Sequence, residues 1–549
     1  MGLLKNALLN IYEKLDSDIL NVMRYLEITG NRLKLEDVVK VARENIPVRL
    51  HSSVPAKLSK SRKVVEDLVR QKKRVYGVTT GFGRHSHFFL SNLKEAQKLQ
   101  ENIIKSHLVS VGDYLADDVA RATLLIRANT LAKGFSGIRL ELLNRLITIL
   151  NRGIIPLIPE KGSVGASGDL SPLAYMSLPI IGKGKVRFRG TIVDAFTALK
   201  KAGLKPDFRL SYKEGLALTN GTSVMTAIGV LCYQDAMNLI KACDAAAALS
   251  LEAVCGKREA FDRKIQKVRP YLGQIGSAEN IRKLTSGSIL LDKGSQVQDS
   301  YSIRCVPQVH GASWDALQYV RRILGIEINS ATDNPLFFSD GKAYPGGNFH
   351  GQPVALAMDF LGIALAELGS ISERRTQRLL DANHNAGLPS NLVPNPGLNT
   401  GLMIAQYTAA ALVSENKILA HPASLDSIPT SANIEDHVSM GTIAARKARD
   451  ILKNVEYVIA IELLCAAQAL DFRLGKVKIE RKSDPDSHIR GSLGKGTLAA
   501  YELVRTKVKP VLNDRRLDED IEAIRELLLS GHLVQKIETR IGKLCRQND

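Results

Sequence analysis

The chain has few aromatic residues and no closely spaced cysteine pair. Aromatic side chains make up 5% of its 549 residues, and there is a single tryptophan. The six cysteines include no CxxC pair, which argues against a disulfide framework and against a cysteine-rich zinc site. This cysteine usage is typical of a reduced protein, and we expect a cytoplasmic location.

Long apolar runs and dense basic clusters are also missing. No apolar run approaches the roughly 20 residues of a bilayer-spanning helix, and charges at Lys5, Glu13 and Lys14 interrupt any signal-peptide core. The formal charge of +19 is spread over short groups without interleaved aromatics. That pattern is typical of a solvated basic surface, so we expect neither a membrane nor a nucleic-acid partner.

Helical periodicity is the main pattern that is present. Apolar residues recur at helical spacing for about 18 residues or more in four stretches, which are 223–254, 352–381, 402–419 and 444–470. Long consecutive helices predict a central antiparallel bundle. Strand-like alternation is confined to short pieces such as 185–193. The predicted class is mainly α, with a mixed, loop-rich N-terminal region that carries the active-site loops.

The same patterns divide the chain into four segments. Residues 1–26 are predicted to form an N-terminal helical extension, and residues 27–210 form a domain with glycine-rich loops. The long-helix bundle is predicted over 211–474, and a C-terminal helical region over 475–549.

The most unusual stretch is a glycine-rich loop over 162–174, which reads GSVGASGDLSPLA. A phosphate loop would need a lysine after its last glycine, and none follows Gly168. A nucleophile elbow would need GxSxG, whereas Ser167 is flanked directly by alanine and glycine. The sequence therefore excludes both of these common interpretations.

Small residues around Ser167 permit a rarer reaction. The amide nitrogen of Gly168 can attack the carbonyl carbon of Ala166, because glycine has no Cβ to obstruct the approach. Ring closure with loss of water, followed by dehydration of Ser167, would leave a methylidene-imidazolone with an electrophilic exocyclic carbon. The alternative is an ordinary tight turn that caps a helix through Asp169 or Ser171.

Further blocks accompany this loop along the chain. They are YGVTTGFG at 76–83, LTNGT at 218–222, QDSYSIRC at 298–305, GNFH at 347–350, SENK at 414–417 and EDHVSMG at 435–441. Together with the loop they resemble the aromatic amino acid ammonia-lyases and aminomutases, from about residue 28 to about residue 528. The resemblance implies a helical homotetramer with dihedral symmetry and active sites shared between neighbouring subunits. It also implies a prosthetic group formed autocatalytically from Ala166-Ser167-Gly168, with no external cofactor and no metal.

The resemblance assigns roles to individual residues. Tyr76 matches the catalytic base, on a loop that can close over the pocket. Arg304 matches the residue that pairs with the substrate carboxylate, because a guanidinium offers a planar fork for two oxygens. Phe349 either packs near the prosthetic ring or is purely structural. The residues expected to hydrogen-bond the ring, its oxygen or the transferred amine are Asn220, Gln298 and Tyr301, with Tyr301 counted among the catalytic residues.

Substrate choice is expected to depend on Ser106-His107. In the family, histidine lyases carry Ser-His at this point, tyrosine lyases His-Leu and phenylalanine lyases Phe-Leu. An imidazole substrate needs partners for two ring nitrogens, which His107 and the carboxylate of Glu415 can provide. The resemblance thus implies elimination of ammonia from L-histidine to give urocanate, the first step of histidine degradation. A tyrosine or phenylalanine ammonia-lyase and a 2,3-aminomutase are the alternatives within the family, and a non-catalytic helical binding protein is the alternative outside it.

Three positions depart from residues common in the family. They are Ser110, Gly351-Gln352 and Ile434. They reflect either lineage or a shifted substrate preference, and none lies within the Ala166-Ser167-Gly168 segment.

Overall fold

The computed structural model describes residues 25–90, 92–478 and 485–545. Its helices, in chain order, are α1 (Leu35–Arg43), α2 (Val54–Arg70), α3 (Leu93–Ser106), α4 (Asp117–Ala132), α5 (Leu140–Asn151), α6 (Leu170–Ser177), α7 (Ala195–Lys201), α8 (Glu214–Thr219), α9 (Ser223–Ala253), α10 (Arg263–Lys267), α11 (Leu272–Leu284), α12 (Tyr301–Arg304), α13 (Val306–Glu327), α14 (Gln352–Leu380), α15 (Met403–Leu419), α16 (Gly441–Arg473), α17 (Lys495–Lys507), α18 (Asp518–Leu529) and α19 (His532–Ile541). The predicted mainly α class is confirmed.

The strands are short and form small separate sheets. They are β1 (Leu26–Ile28), β2 (Val48–Leu50), β3 (Val111–Tyr114), β4 (Ile155–Pro156), β5 (Pro159–Lys161), β6 (Lys185–Phe188), β7 (Thr191–Asp194), β8 (Leu336–Phe337) and β9 (Ala343–Tyr344). Strands β1 and β2 pair in parallel, whereas β3–β5, β4–β6–β7 and β8–β9 are antiparallel. The alternation predicted over 185–193 is the β6–β7 hairpin, whose turn residues Arg189 and Gly190 both have positive φ, as a two-residue hairpin turn requires.

The four long helices predicted from periodicity are α9, α14, α15 and α16, and helices α13 to α15 alternate in direction. Later residues of α13 contact earlier residues of α14, so these two helices are antiparallel. The same relation holds between α14 and α15. The contacts that show this are His310 with Arg375, Tyr319 with Phe360, Gly369 with Val413, and Glu373 with Gln406. The antiparallel bundle is therefore confirmed.

A fully buried polar cluster joins four of the long helices. His310 of α13 lies 2.8 Å from Asp244 of α9 through Nδ1 and Oδ1. Arg375 of α14 donates to both carboxylate oxygens of Glu462 of α16, at 2.6 and 2.8 Å. Buried charges are tolerated only when they are paired and hydrogen-bonded. The cluster therefore links the register of α14 to that of α16.

Helix α14 corrects one expectation about apolar runs. One of its 18-residue windows has a mean hydropathy of 1.8, so by length and composition the helix could cross a membrane. Of that window, 67% is buried inside the fold, and the helix also carries the buried Arg375. Charged residues interrupt this apolar stretch in the sequence, so it does not read as one continuous run. Its burial is expected of a core helix of the bundle.

Contacts group the chain into two compact units. The first comprises Met1–Val230, Leu324–Val354 and Asp426–Thr442, and the second comprises Leu231–Ile323, Ala355–Leu425 and Ile443–Asp549. The first unit holds strands β1–β9 and helices α1–α8, which is the predicted mixed, loop-rich region. The second holds most of the long-helix bundle. The predicted segment boundaries at 26/27, 210/211 and 474/475 stay predictions, and the extension over 1–26 lies almost wholly outside the described residues.

We expect the Arg375–Glu462 pair to contribute strongly to stability. Replacing Arg375 with methionine would leave the Glu462 carboxylate buried without its cation, and the apparent free energy of unfolding should fall by about 3–5 kcal/mol. Arg70→Met is a control, because Arg70 is exposed and pairs with Asp67 at 3.2 Å on the surface, where loss should cost less than about 1 kcal/mol. Urea denaturation at matched protein concentration measures both, and equal losses would contradict this role for the pair.

Candidate active site

The Ala166-Ser167-Gly168 segment forms a tight, left-handed turn in the first unit. The amide of Gly168 donates to the carbonyl oxygen of Gly165 at 3.3 Å, so that Ala166 and Ser167 are the central residues of the turn. Ser167 has φ of +51° and Gly168 has φ of +82°. A Cβ on residue 168 would overlap the carbonyl of Gly221. Only glycine fits at that position, and it has no Cβ that would obstruct approach to its own amide nitrogen.

Backbone hydrogen bonds hold this loop on two sides. The amide of Asp169 donates to the Gly221 carbonyl at 2.7 Å, and the amide of Gly221 donates to the Ser167 carbonyl at 3.1 Å. On the other side, the amide of Met440 donates to the carbonyl of Val164 at 2.9 Å. The turn is therefore clamped between two segments that are distant from it in sequence.

The Asp169 carboxyl holds the loop against the starts of two helices. Its Oδ2 accepts the amides of Val224 at 2.8 Å and Met225 at 2.9 Å, in the first turn of α9. Its Oδ1 accepts the hydroxyl of Thr442 at 2.6 Å, at the start of α16. Burial raises the pKa of the Asp169 carboxyl to about 6, and these hydrogen bonds together with the Arg127 guanidinium oppose the rise. The carboxyl thus accepts amides at the start of α9 that have no partner within the helix, and it connects that helix start to the start of α16.

Glu435 is the acidic group that faces the turn. The hydroxyl of Ser167 donates to its Oε1 at 2.9 Å, and the hydroxyl of Thr430 donates to its Oε2 at 2.8 Å. The charge of Glu435 also acts on the pKa values of Tyr76 and His107. Glu435 lies in the EDHVSMG block, and the sequence alone indicates no role for it. The only sequence signal was its place in that block, 268 residues after Ser167.

Tyr76 is held beside this group by a buried apolar cluster. Its neighbours Val75 and Val78 are buried, and they pack with Val64, Val65, Leu68 and Phe337. The phenol oxygen accepts the amide of Gly83 at 3.1 Å. Burial raises the pKa of the Tyr76 phenol, the Gly83 hydrogen bond lowers it, and the charge of Glu435 raises it further. The free protein therefore holds a protonated phenol at neutral pH.

His107 ends helix α3 next to Ser106. Its Nδ1 lies 3.0 Å from the hydroxyl of Ser106. Burial lowers the pKa of the His107 imidazole, while the Ile103 carbonyl and the charge of Glu435 raise it. Because the net shift is downward from an ordinary value near 6.5, the ring is mainly neutral at pH 7 and can both donate and accept a hydrogen bond.

Asn220 and Phe349 belong to the same unit. Asn220 follows α8 directly and is 3% exposed, and its Oδ1 is buried with no hydrogen-bond partner in the described chain. A buried acceptor without a partner is costly, so Asn220 is suited to receive a donor from a ligand. Phe349 is half-buried in a turn that the amide of His350 closes on the carbonyl of Gly347 at 2.8 Å.

The remaining predicted site residues lie in the second unit. Gln298 and Tyr301 are exposed, Tyr301 by 71%. The guanidinium of Arg304 lies 4.8 Å from the centroid of the Tyr301 ring, and its Nε is buried with no hydrogen-bond partner among the residues described. Glu415 stands on α15 with an exposed side chain. These roles stay predictions, as do those of the first unit.

Two of the three departures have a local structural explanation. The buried hydroxyl of Ser110 lies 2.7 Å from that of Ser171 at the start of α6. Gly351 packs against the far end of the Met225 side chain, which would have to shift to admit a Cβ. Ile434 is 57% exposed, and nothing in the structure explains it.

Comparisons with known proteins agree with this geometry. A family model for aromatic amino acid lyases matches residues 33–506. A histidine ammonia-lyase of Caldanaerobacter subterraneus is 53% identical over 519 residues, which are 94% of this chain and 99% of that protein. The crystal structure of histidine ammonia-lyase from Trypanosoma cruzi superposes with a TM-score of 0.84 at 39% identity, covering 94% of this chain and 96% of that one.

A tyrosine aminomutase from Streptomyces globisporus has the same fold. Its structure superposes with a TM-score of 0.87 at 39% identity, over 95% of this chain and all of that one. The helical fold and the clamped glycine-rich turn, taken with these matches, define an enzyme that is a carbon–nitrogen lyase. The chain belongs to the aromatic amino acid lyase family, and the predicted resemblance is confirmed.

The crowding of Gly168 gives a testable prediction. Gly168→Ala should destabilise the loop more than Gly153→Ala, because both glycines have positive φ but a Cβ at residue 153 meets no atom within 4 Å. The control should lose about 1 kcal/mol of unfolding free energy from backbone strain alone. In Gly168→Ala, the amides of Asp169 and Gly221 should also exchange faster with deuterium. Unchanged protection of both amides would show that the Gly221 contact does not define the turn.

Proposed function

We propose that the chain eliminates ammonia from L-histidine to give urocanate, as the first step of histidine degradation. The observation that carries the proposal is the 53% identity to a histidine ammonia-lyase over nearly the whole chain. The Ser106-His107 pair supports it, because its side chains lie beside the charge of Glu435 and can serve a polar ring. The six free cysteines are consistent with a cytoplasmic location.

The electrophile would form from Ala166, Ser167 and Gly168. The residues present fit such a group, since the turn is left-handed, Gly168 admits no side chain, and the Asn220 acceptor is unpaired and buried nearby. Once formed, the methylidene-imidazolone supplies an electron sink that makes the amine of the substrate a better leaving group. No external cofactor is required for that chemistry.

Tyr76 is the proposed base for the β-proton of the substrate. Its phenol is protonated in the free protein because burial and Glu435 both raise its pKa. A cationic ammonium bound nearby would offset the negative charge of Glu435 and lower that pKa again. The closed Tyr76 loop would also exclude water from the reacting atoms.

Recognition of the imidazole is assigned to His107 and a carboxylate. The sequence analysis paired His107 with Glu415, whereas in the structure it is Glu435 that acts on His107 and bonds Ser167. We therefore add Glu435 to the proposed ring partners, and the assignment of Glu415 stays a prediction. A neutral imidazole and a carboxylate can together satisfy one donor and one acceptor of the substrate ring.

A homotetramer is proposed to complete each site. Gln298 and Tyr301 are exposed and the Nε of Arg304 has no partner in the described chain, so the carboxylate-binding set is unsatisfied within one subunit. The second unit also has an open cavity of about 940 Å³ lined by α13, α14 and α15. Exposed apolar side chains on these helices include Phe360, Ile363, Ile404, Tyr407 and Ile418. Apolar patches of this kind mark subunit contacts in oligomers.

An aminomutase outcome is the second candidate. It is favoured by the structural match to the tyrosine aminomutase, which is as close as that to the lyase from Trypanosoma cruzi. The higher identity of the Caldanaerobacter protein favours elimination without readdition of ammonia. The two outcomes differ in product, since a mutase yields a β-amino acid.

The activity itself is tested with purified protein and each of histidine, tyrosine and phenylalanine. Histidine should give the ultraviolet absorbance of urocanate, and chromatography should detect no β-amino acid. The chain should be lighter than its unmodified mass by about two waters. Ser167→Ala should lose activity and should be lighter by at most one water, because the hydroxyl that leaves as the second water is gone. An active parent protein of unmodified mass would contradict the electrophile.

Substrate selection is tested by exchanging Ser106-His107 for His-Leu. Efficiency on histidine should fall about tenfold to a hundredfold, since losing a hydrogen bond to a buried polar ligand costs about 1–3 kcal/mol. Lys98→Leu, at an exposed position of α3, is the matched control and should leave efficiency unchanged. The quantity to compare is the ratio of kcat/KM for histidine and tyrosine. If the exchange leaves that ratio unchanged, His107 does not select the substrate.

A further inference from the structure

The hydroxyl of Ser163 bridges the two ends of the reactive turn. It accepts the amide of Gly165 at 3.1 Å and donates to the carbonyl of Gly168 at 3.2 Å. These are the same two residues that close the turn through the Gly168 amide and the Gly165 carbonyl. Ser163 thus fixes the separation between the first and last residues of the segment that encloses Ala166 and Ser167.

Thr442 holds the Ser163 hydroxyl in place. Its Oγ1 lies 2.9 Å from Oγ of Ser163 and 2.6 Å from Oδ1 of Asp169. Asp169 is in turn fixed by two amides of α9. Thr442 has one hydroxyl proton, which the Asp169 carboxylate accepts, so at the contact between the two hydroxyls Ser163 is the donor and shares its proton between Thr442 Oγ1 and the Gly168 carbonyl. Hydrogen bonds therefore connect the start of α9 through Asp169 and Thr442 to Ser163 and the backbone of the turn.

We propose that Ser163 is a positioning residue for the ring closure, with Thr442 orienting its hydroxyl. The inference rests on the proposed function and concerns how the electrophile forms. Cyclisation requires the Gly168 nitrogen to reach the Ala166 carbonyl carbon, across a turn of low conformational probability in a free chain. Holding Gly165 and Gly168 together in advance removes most of that entropic cost, as proximity does in intramolecular reactions.

The reaction that Ser163 assists is balanced without any oxidant. A bond forms between the Gly168 nitrogen and the Ala166 carbonyl carbon. The Ala166 oxygen leaves as water with the hydrogens of the Gly168 and Ser167 amides, and a double bond forms to the Ser167 nitrogen. A second water then leaves with the Ser167 hydroxyl and its α-hydrogen. The processed chain free of substrate is therefore two waters lighter than the unprocessed chain.

Intact mass of the full chain reports this step independently of catalysis. The protein is sampled at intervals after a short pulse of expression, and the fraction lighter by two waters gives the rate of processing. Ser163→Ala and Thr442→Val should process about tenfold or more slowly than the parent, the scale expected for a lost buried hydrogen bond. Thr442→Ser keeps the hydroxyl and should recover most of the parent rate.

Ser177→Ala is the matched control. Ser177 is a buried serine of α6 whose hydroxyl bonds only to the Leu173 carbonyl of its own helix, at 2.7 Å. It should process at the parent rate, and circular dichroism melting of each variant shows whether it is folded. A merely structural role for Ser163 would lower the melting temperature without leaving folded, unprocessed chain.

Two results would overturn the proposal. One is processing of Ser163→Ala and Thr442→Val at the parent rate, and the other is equally slow processing of Thr442→Ser and Thr442→Val. A failure of the proposed function looks different, because the parent itself would then keep its unmodified mass. Accumulation of folded, unprocessed Ser163→Ala and Thr442→Val beside a processed parent and Thr442→Ser supports the role of the hydroxyl chain.

Discussion

The carboxyl of Asp169 is the constraint on which the site depends. It is completely buried, yet it receives two amides from the start of α9 and a hydroxyl from the start of α16. Removing a carboxylate from water is costly unless its oxygens are hydrogen-bonded. The positive end of a helix dipole and the Thr442 hydroxyl supply those bonds. Asp169 follows Gly168 directly. The helix starts that fix its carboxyl therefore also fix the position of the turn.

The other groups of the site are arranged around the turn that Asp169 fixes. The turn is fixed below by Asp169, at its ends by the Ser163 hydroxyl, and at the centre by the hydrogen bond from Ser167 to Glu435. Around the turn lie the Tyr76 phenol and the His107 imidazole, whose pKa values are shifted mainly by burial, next by a backbone hydrogen bond and then by the Glu435 charge. Burial and Glu435 both raise the pKa of the Tyr76 phenol, which stays protonated at pH 7. For His107 the two effects are opposed, and burial keeps the imidazole mainly neutral although Glu435 favours its charged form. These protonation states suit the roles proposed for Tyr76 as a base and for His107 as a neutral hydrogen-bonding partner.

In the second unit, a buried polar cluster holds long helices together. Its long helices are held in register by Asp244, His310, Arg375 and Glu462, which are all completely buried. This cluster connects α9, α13, α14 and α16 through buried, paired groups. In one chain the Tyr301 side chain is exposed, and the cavity lined by α13, α14 and α15 is open. A rigid bundle that presents unsatisfied residues at its surface is the arrangement expected of a subunit whose partners complete the site.

The sequence by itself determined the class of fold and the family, and it contains the Ala166-Ser167-Gly168 segment that is proposed to form the electrophile. Helix length and periodicity are local properties, so α9, α14, α15 and α16 begin and end within a few residues of their predicted limits. The chemistry of Ala166, Ser167 and Gly168 is equally local, because it depends on adjacent small residues.

Only the tertiary structure decided which distant groups meet that tripeptide. Glu435 contacts Ser167 across 268 residues of chain, and Thr442 contacts Ser163 across 279. No periodicity or spacing encodes such a pairing, which arises when helix starts and loops pack together. For the same reason the sequence indicated no role for Glu435, whose carboxylate the fold brings to the turn; the role of Glu415 stays a prediction. It also overlooked Ser163, whose role depends on hydrogen bonds that only the folded loop creates.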